Sequence, residues 1–184
     1  MADEKVTDLS QELAPAATDI AYMVDDPSGA PVSKKVTLGD FVEGGFPNHG
    51  VRVYRTEDQT VAEGDDVDFT AERWDTDAYH DIITNPERLT CQLAGVYFIQ
   101  AQVNWESSGG GSTRQLSLLL NGVTTLARIR IVAGETYEFV STVYVLSVSD
   151  YVTASVYQNT GGDLDILAGG NYTPEFMMQW LGPV

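Results

Sequence analysis

The feature that most constrains the fold is a succession of short segments in which apolar and polar residues alternate, beginning after GGFPNHG at residues 44–50. The longest of these segments lies within residues 89–105. One of its faces carries Tyr97, Ile99, Ala101, Val103 and Trp105, and the other carries Gln100, Gln102 and Asn104. A period of two residues is typical of a β-strand with one buried face. The same pattern predicts strands at residues 51–55, 67–75, 115–121, 125–131, 138–148, 151–158, 164–167 and 176–181.

Turn-forming sequences separate these segments, among them SSGGGS at residues 107–112, NG at 121–122 and TGG at 160–162. Many short strands punctuated by turns predict a sandwich or a barrel. No stretch shows helical periodicity over three turns, so we expect an all-β fold. Periodicity alone leaves a jelly roll and an immunoglobulin-like sandwich both open.

Residues 1–46 differ from the rest of the chain, and we predict that they form an arm on a body comprising residues 47–184. Alternating apolar positions predict strands at residues 20–24 and 32–38, joined by a DPSG turn. Residues 37–41 resemble the start of a helix, with a threonine cap and an acid three positions later. Two short strands bury too little surface to be stable alone. We therefore expect the hairpin arm to pack on its own body, on other copies or on another protein.

Charge and cysteine content exclude several classes of protein. The chain has 27 acidic and 10 basic residues, a net charge of −17 at pH 7. Such a surface repels phosphate, so nucleic acid is not an expected partner. No apolar run reaches the roughly 18 residues that a membrane span needs, and MADEKVTDLSQEL at the start lacks a signal-peptide pattern. Cys91 is the single cysteine, which excludes a disulfide scaffold and favours a protein made in a cytoplasm.

Motifs for catalysis and cofactor binding are absent from the sequence. There is no GxxxxGK[ST], HExxH, GxSxG or CxxC. Cys91 begins an apolar strand, where a buried inert thiol is commoner than a nucleophile activated by His49 or His80. A glycosidase needs two suitably spaced carboxylates, but 27 acids supply some such pair in any case. We predict a protein without enzymatic activity, catalytic residues or cofactor, and keep a glycosidase as a minor alternative.

The stretch ERWDTDAYHD at residues 72–81 is the densest cluster of metal-ligating residue types. Asp75, Asp77 and Asp81 could supply oxygen ligands to a cation. The spacing and glycine of an EF-hand are absent, and His80 has no nitrogen or sulfur partner at a zinc-like spacing. We therefore favour a strand that ends in a solvated turn, with a cation on the three aspartates as the weaker alternative.

Motifs in the body resemble, in the same order, those of the globular head of complement C1q and its TNF-like relatives. They are WDTDAYHD at residues 74–81, RLTC at 88–91, AGVYFI at 94–99, SDYV at 149–152 and the closing strand at 176–181. Trp74 stands where the family has a core aromatic, whereas Ser149 and Met178 replace glycines of the family pattern. The resemblance implies a ten-stranded jelly-roll sandwich that assembles as a compact homotrimer.

The arm resembles a different kind of sequence. IAYMVDDPSGAPVSKKVTLGDFV, residues 20–42, is similar to a segment that recurs near the N-termini of tailed-phage virion proteins, and the body phrase also resembles phage versions of the complement-type head. The two resemblances together imply a virion protein made in the host cytoplasm. A secreted animal protein is a third reading, which the phage-like arm disfavours.

These resemblances imply roles for particular residues. The arm would attach to the major capsid protein or another virion protein through Ile20, Tyr22, Val24, Lys34, Lys35, Val36, Leu38 and Phe41. Candidates for the seam between copies are Tyr97, Phe98, Tyr157, Phe176 and Trp180, some of which must instead be internal core. No repeated shaft separates arm and head, which favours capsid decoration or a head fibre over a tail-fibre tip that binds a host receptor.

Overall fold

The computed structural model describes residues 20–25, 32–37, 48–107, 110–132, 134, 136–170 and 174–184. The chain divides into two units, Met1–Pro47 and Asn48–Val184. In the first unit, β1 (Ile20–Asp25) and β2 (Val32–Thr37) pair in antiparallel fashion, as the alternating pattern predicts. The predicted helical turn, including Leu38 and Phe41, lies outside the described residues. The attachment roles of the arm side chains stay predictions.

The second unit is a sandwich of two five-stranded antiparallel sheets with a small two-stranded pair. Its strands are β3 (Gly50–Tyr54), β4 (Gln59–Val61), β5 (Gly64–Asp66), β6 (Ala71–Asp75), β7 (Arg88–Thr90), β8 (Gly95–Asn104), β9 (Thr113–Leu120), β10 (Thr124–Val132), β11 (Tyr137–Leu146), β12 (Tyr151–Gln158), β13 (Leu164–Ile166) and β14 (Glu175–Gly182). Sheet I has the order β10-β9-β12-β5, with β7 also on β12, and sheet II has the order β11-β8-β14-β3-β6. The ten strands of the two sheets confirm the predicted ten-stranded all-β architecture. No helix in the described ranges is long and apolar enough to cross a lipid bilayer.

The core lies between the two sheets and is built from the alternating positions that the sequence predicts. On β8 the burial alternates along the whole strand, and the predicted inward face is fully covered. Sheet I supplies the opposing layer through Leu116, Leu118, Val152, Ala154 and Val156. Each of the leucine and valine side chains contributes about 1.5–3 kcal/mol when it is removed from water.

Two of the predicted seam residues belong to this core. Tyr97 and Phe176 are both 0% exposed within a single chain. Phe176 packs on Phe69 with ring centroids 5.4 Å apart, and the Tyr97 hydroxyl donates to the carbonyl of Leu93 at 2.5 Å. Their assignment to a seam between copies is therefore corrected, because the protomer itself covers them.

The predicted strand at 67–75 is interrupted, because residues 67–70 cross from one sheet to the other. Val67 donates its amide to Ala154 on sheet I, whereas Thr70 donates its amide to Tyr54 on sheet II. The segment is therefore extended and buried without being a ladder strand, and β6 begins only at Ala71. Strands β4, β5 and β7 have three residues each, too few for a period to show in the sequence.

A buried polar group interrupts the apolar core between the two sheets. Glu138 on β11 and Arg114 on β9 are fully buried, and Trp105 Nε1 donates to Glu138 Oε2 at 2.8 Å. Burial raises the pKa of Glu138 to about 7, although the Trp105 hydrogen bond and the Arg114 charge both act to lower it. A carboxylate at this depth is costly unless its partners compensate the lost hydration.

We expect the stability of the body to fall as the pH rises from about 4.5 to about 7, because folding opposes the ionisation of Glu138 over that range. The loss should be on the order of 3 kcal/mol, since each unit of pKa shift corresponds to about 1.4 kcal/mol. Glu138→Gln should flatten this part of the urea-unfolding profile, whereas the exposed control Glu57→Gln should leave it unchanged. Equal pH dependence in Glu138→Gln and the native chain would contradict this assignment.

Candidate interaction surface

Strand β11, at the edge of sheet II, carries apolar residues on both faces. Its inward side includes Glu138, Val140 and Leu146, which are buried. The outward side includes Tyr137, Phe139, Val143 and Val145, which are 42, 48, 56 and 51% exposed. A strand that faces solvent on one side normally alternates apolar with polar residues, whereas a strand covered on both sides is apolar throughout. The pattern of β11 therefore indicates that a partner covers its outward side.

The strand register extends this apolar surface across sheet II. Val143 lies opposite Phe98 on β8, and Phe98 lies opposite Gln179 on β14. Val145 lies opposite Val96, the neighbouring outward position of β8. We call the side of sheet II that is directed away from the core the outer face. Its other members include Gln100, Gln102, Asn104, Tyr54 and Met177.

The outer face also lacks uncompensated negative charge. Glu175 is the one carboxylate at the outward positions of β3, β8, β11 and β14, four strands that the structure describes in full. Arg52 Nε donates to its Oε2 at 2.9 Å, and Arg73 Nε donates to its Oε1 at 2.5 Å. The Arg73 guanidinium also lies 4.7 Å from the centre of the Tyr54 ring. On a chain with a net charge of −17, this face is suited to meet a like-charged copy.

The structure separates the remaining seam candidates. Phe98 is half-buried on the outer face, as expected for a contact residue. Tyr157 is on sheet I, where its hydroxyl donates to Glu63 at 3.3 Å. Trp180 packs against the core edge and donates its Nε1 hydrogen to the carbonyl of Ala94 at 3.2 Å. Only Phe98 of the five candidates lies on the outer face.

Sequence reasoning missed most of the apolar outer face. Tyr137, Phe139, Val143 and Val145 were not among the seam candidates. The signal for them was present in YEFVSTVYVL at residues 137–146, where apolar residues occupy both the odd and the even positions. The five candidates were chosen as aromatic residues elsewhere in the chain, although in a strand the parity of a position decides which face it occupies.

Trp74 also departs from its expected place. The resemblance put it in the core, but it lies opposite Arg52, an outward position of β3, and is half-buried on the outer face. A Cβ on Gly50 would come within 3.1 Å of the Trp74 ring and 2.6 Å of the Met178 carbonyl oxygen. Glycine at position 50 therefore allows the indole to approach the backbone of β3 closely.

The aspartates of ERWDTDAYHD have separate structural roles. Asp75 Oδ1 accepts the amides of Asp77 and Tyr79 at 3.1 Å each, and its Oδ2 accepts the amide of His80 at 2.9 Å. Asp77 pairs with the ring of His49, with Oδ2 and Nδ1 2.8 Å apart.

Asp81 Oδ1 accepts the amides of Ile83 and Thr84 at 2.9 Å each. Within the part of the chain that is described, no three His, Cys, Asp or Glu side chains are grouped to hold a metal ion. This geometry favours the strand end with a capped turn over a cation site on the three aspartates.

The Cys91 thiol lies in an environment that suppresses its reactivity. It donates to the carbonyl of Leu93 at 3.2 Å, and burial raises its pKa. His80 is held by Glu72 and the carbonyl of Pro86, and His49 by Asp77, so neither imidazole serves the thiol as a base. A raised pKa lowers the thiolate population on which nucleophilic attack depends.

Asp75→Ala should destabilise the body by about 2–3 kcal/mol, because three backbone amides would lose a charged acceptor in a half-buried turn. Asp163→Ala serves as the control, since the Asp163 carboxylate is exposed and forms no hydrogen bond to another described residue. Urea unfolding monitored by tryptophan fluorescence measures both variants. Neither EDTA nor added calcium should change the midpoint for the native chain, and a calcium-dependent shift abolished by Asp75→Ala would instead support the cation site.

No family model matches the sequence, and no curated protein is similar to it. Solved structures do resemble the body. The Eiger TNF protein of S. frugiperda superimposes with a TM-score of 0.57 at 15% identity, covering 76% of this chain and 96% of that one. Murine APRIL gives 0.55 at 13% identity, with 73% and 99% covered. The globular domain of zebrafish complement 1qA gives 0.52 at 15% identity, with 74% and 99% covered.

Identities this low establish the fold and leave the activity open. The similar structures include both kinds of protein whose motifs the sequence resembles, a TNF protein and a complement C1q domain. It spans nearly the whole length of each matched structure. The body of this chain is a jelly roll of the TNF/C1q type.

Proposed function

We propose that the chain is a non-enzymatic structural protein of a phage particle. In this proposal it forms a homotrimer that attaches through its N-terminal arm and displays the jelly-roll head on the capsid surface, as a decoration (cement) protein or head fibre. The observation that carries the assembly is the outer face of sheet II. The resemblance of residues 20–42 to phage virion proteins supports the particle as its location.

A second and third copy of the same chain are the occupants to which the outer face is best suited. The outer face is an apolar patch bordered by amide side chains and by Glu175, whose charge Arg52 and Arg73 neutralise. Such a face suits association between identical acidic chains, because unpaired carboxylates on it would repel one another. Because Phe139, Val143 and Val145 are about half exposed in the protomer, burying them against a neighbour would contribute about 1 kcal/mol per side chain. Three-fold closure is what the resemblance to C1q and TNF heads implies, and it would leave no outer face uncovered.

The arm supplies the attachment in this proposal. Its β-hairpin has edge strands that can pair with a strand of the major capsid protein or another virion protein. Three arms on one trimer would bind together, so that weak single contacts give firm attachment through effective concentration. No nucleic acid or membrane is required.

A tail-fibre tip that recognises a host receptor is the second candidate. The TNF/C1q-type head is compatible with ligand recognition, but no repeated shaft separates residues 1–46 from the head. The number of copies per particle separates the two, because a shell protein is present in hundreds and a tail tip in a few trimers. Immuno-gold labelling would place the protein on the head or on the tail directly.

The double variant Phe139→Asp with Val143→Asp should dissociate the assembly, because it places two carboxylates in the apolar centre of the seam. We expect the native chain to sediment at three times 20.0 kDa and the variant at 20.0 kDa. Val123→Asp, which alters an even more exposed apolar residue in the β9–β10 turn, is the control and should remain trimeric. A native chain that stays monomeric at micromolar concentration would refute the seam.

Deletion of residues 1–46 should leave a folded trimer that no longer joins the particle, because the seam lies on the body and the attachment strands lie on the arm. Circular dichroism and sedimentation would check the fold and the trimer. Cryo-EM of particles assembled with the truncated chain would check attachment. Normal decoration by the truncated protein would contradict the role of the arm.

A further inference from the structure

A cleft of about 240 Å³ lies between the connection that follows β6 and the strand β7. It is distinct from the outer face. We call it the loop cleft. It is lined by Ala78, Tyr79, His80, Asp81, Thr84, Asn85, Arg88, Thr90 and Gln92. Apart from Ala78 and Tyr79, these residues have polar side chains, so the cleft is suited to a hydrophilic ligand.

Two larger cavities of the body differ from the loop cleft, because their polar side chains are engaged within the protein. In a cavity of about 360 Å³, Gln158 and Asn159 hydrogen-bond to neighbouring turns, so that carboxylates remain as the charged groups. In a cavity of about 300 Å³, Arg73 binds Glu175 and Arg55 donates to a backbone carbonyl. Neither cavity has a set of donors and acceptors directed at a ligand.

The loop cleft has hydrogen-bond donors and acceptors that are not engaged within the described protein. Arg88 stacks its guanidinium 4.7 Å from the centre of the Tyr151 ring, a contact that leaves the N–H edge open. Within the described chain, no hydrogen bond occupies that guanidinium, the Asn85 amide or the Thr90 hydroxyl. Gln92 uses its Nε2 on the carbonyl of Ala78 at 2.8 Å, and its Oε1 remains as an acceptor.

The walls of the cleft are held in place before any ligand arrives. His80 is fully buried between Glu72 and the carbonyl of Pro86, each 3.1 Å from a ring nitrogen. Ala78 and Asn85 adopt left-handed backbone conformations, with φ of 60° and 62°. Conformations of this kind are costly for an alanine and concentrate at binding sites, where surrounding contacts impose them. A fixed wall lowers the entropy cost of binding.

The charges at the cleft select the class of ligand. Asp81 stays ionised near neutral pH, because hydrogen bonds from the amides of Thr84 and Ile83 lower the pKa of its carboxyl group. An anion would be opposed by this carboxylate, and a cation by the guanidinium of Arg88, which also lines the cleft. A neutral molecule with adjacent hydroxyls avoids both, since one hydroxyl can accept from the guanidinium while another donates to an amide or carboxylate oxygen.

The size of the cleft narrows the class of ligand further. Drug-sized ligands occupy about 300–1,000 Å³, so a cleft somewhat below that range suits a single small ring. A pyranose is such a ring, is neutral, and presents adjacent hydroxyls to the polar lining of the cleft.

We infer that the loop cleft binds one neutral pyranose unit of a saccharide, with Arg88, Asn85 and Gln92 holding its hydroxyls. This inference rests on the proposed homotrimer only for the number of binding sites. Three clefts on one trimer would strengthen attachment to a sugar-coated surface. The head would then recognise a host glycan as well as decorate the particle.

The test uses the full-length protein labelled with ¹⁵N and titrated with methyl glucoside, methyl galactoside, methyl mannoside and N-acetylglucosamine. We expect at least one sugar to cause saturable NMR shifts at the Arg88 Nε–H and at the Asn85 and Gln92 side-chain amides, with a millimolar dissociation constant. Asn85→Ala and Arg88→Lys should each weaken binding at least tenfold. The matched control Arg128→Ala, at an exposed arginine on β10, should bind as the native chain does.

Three results would overturn the inference. They are the absence of shifts at the cleft with every sugar, undiminished shifts in both cleft variants, and shifts caused by sulfate or phosphate in place of the sugars. Sedimentation of the same samples reports the assembly separately. A monomer that binds sugar would refute the proposed trimer alone, and a trimer that binds none would refute the cleft alone.

Discussion

The rest of the structure depends on a sheet that is apolar on both of its faces. Sheet II supplies half of the sandwich core through the inward side of β8, β14 and β3, and it also presents the outward apolar positions of β11. A single protomer can cover only one of these faces. In a chain with a net charge of −17, the second face is also the place where negative charge has been kept away. Sheet II therefore supplies both half of the core of the fold and the contact surface of the assembly that we propose.

The alternating pattern predicted most strands correctly because the period of two comes directly from the geometry of an extended chain. It placed β12 at residues 151–158, as observed, and the inward side of β8. It did not resolve residues 67–70, since burial there reflects a crossing between sheets and not membership of either one. The three-residue strands β4, β5 and β7 were not predicted, because three positions are too few to show a period, although the equally short β13 falls within the predicted strand at residues 164–167.

The site was harder to predict than the fold. Tyr97 and Phe98 are neighbours of similar size, yet one is core and the other lies on the outer face. Residue type does not separate them, but parity does once the register is known. The polar groups of the loop cleft were harder still to predict from the sequence. Residues between 78 and 92 converge there through turns with left-handed φ at Ala78 and Asn85. The sequence left a cation on the nearby aspartates as the weaker alternative, whereas in the structure Asp75 and Asp81 accept backbone amides of the turn and Asp77 pairs with His49.

The crossing at residues 67–70 has a mechanical consequence. Val67 is bonded to sheet I, Thr70 to sheet II, and Phe69 between them donates its amide to Pro86 in the loop that borders the cleft. Sliding one sheet over the other would break these bonds within a span of four residues, so the segment resists shear of the sandwich. The outer face on sheet II and the loop cleft beside β7 on sheet I are thereby held in one rigid frame. Force applied to a ligand in the cleft would pass through this short segment to the face where, in our proposal, the copies join.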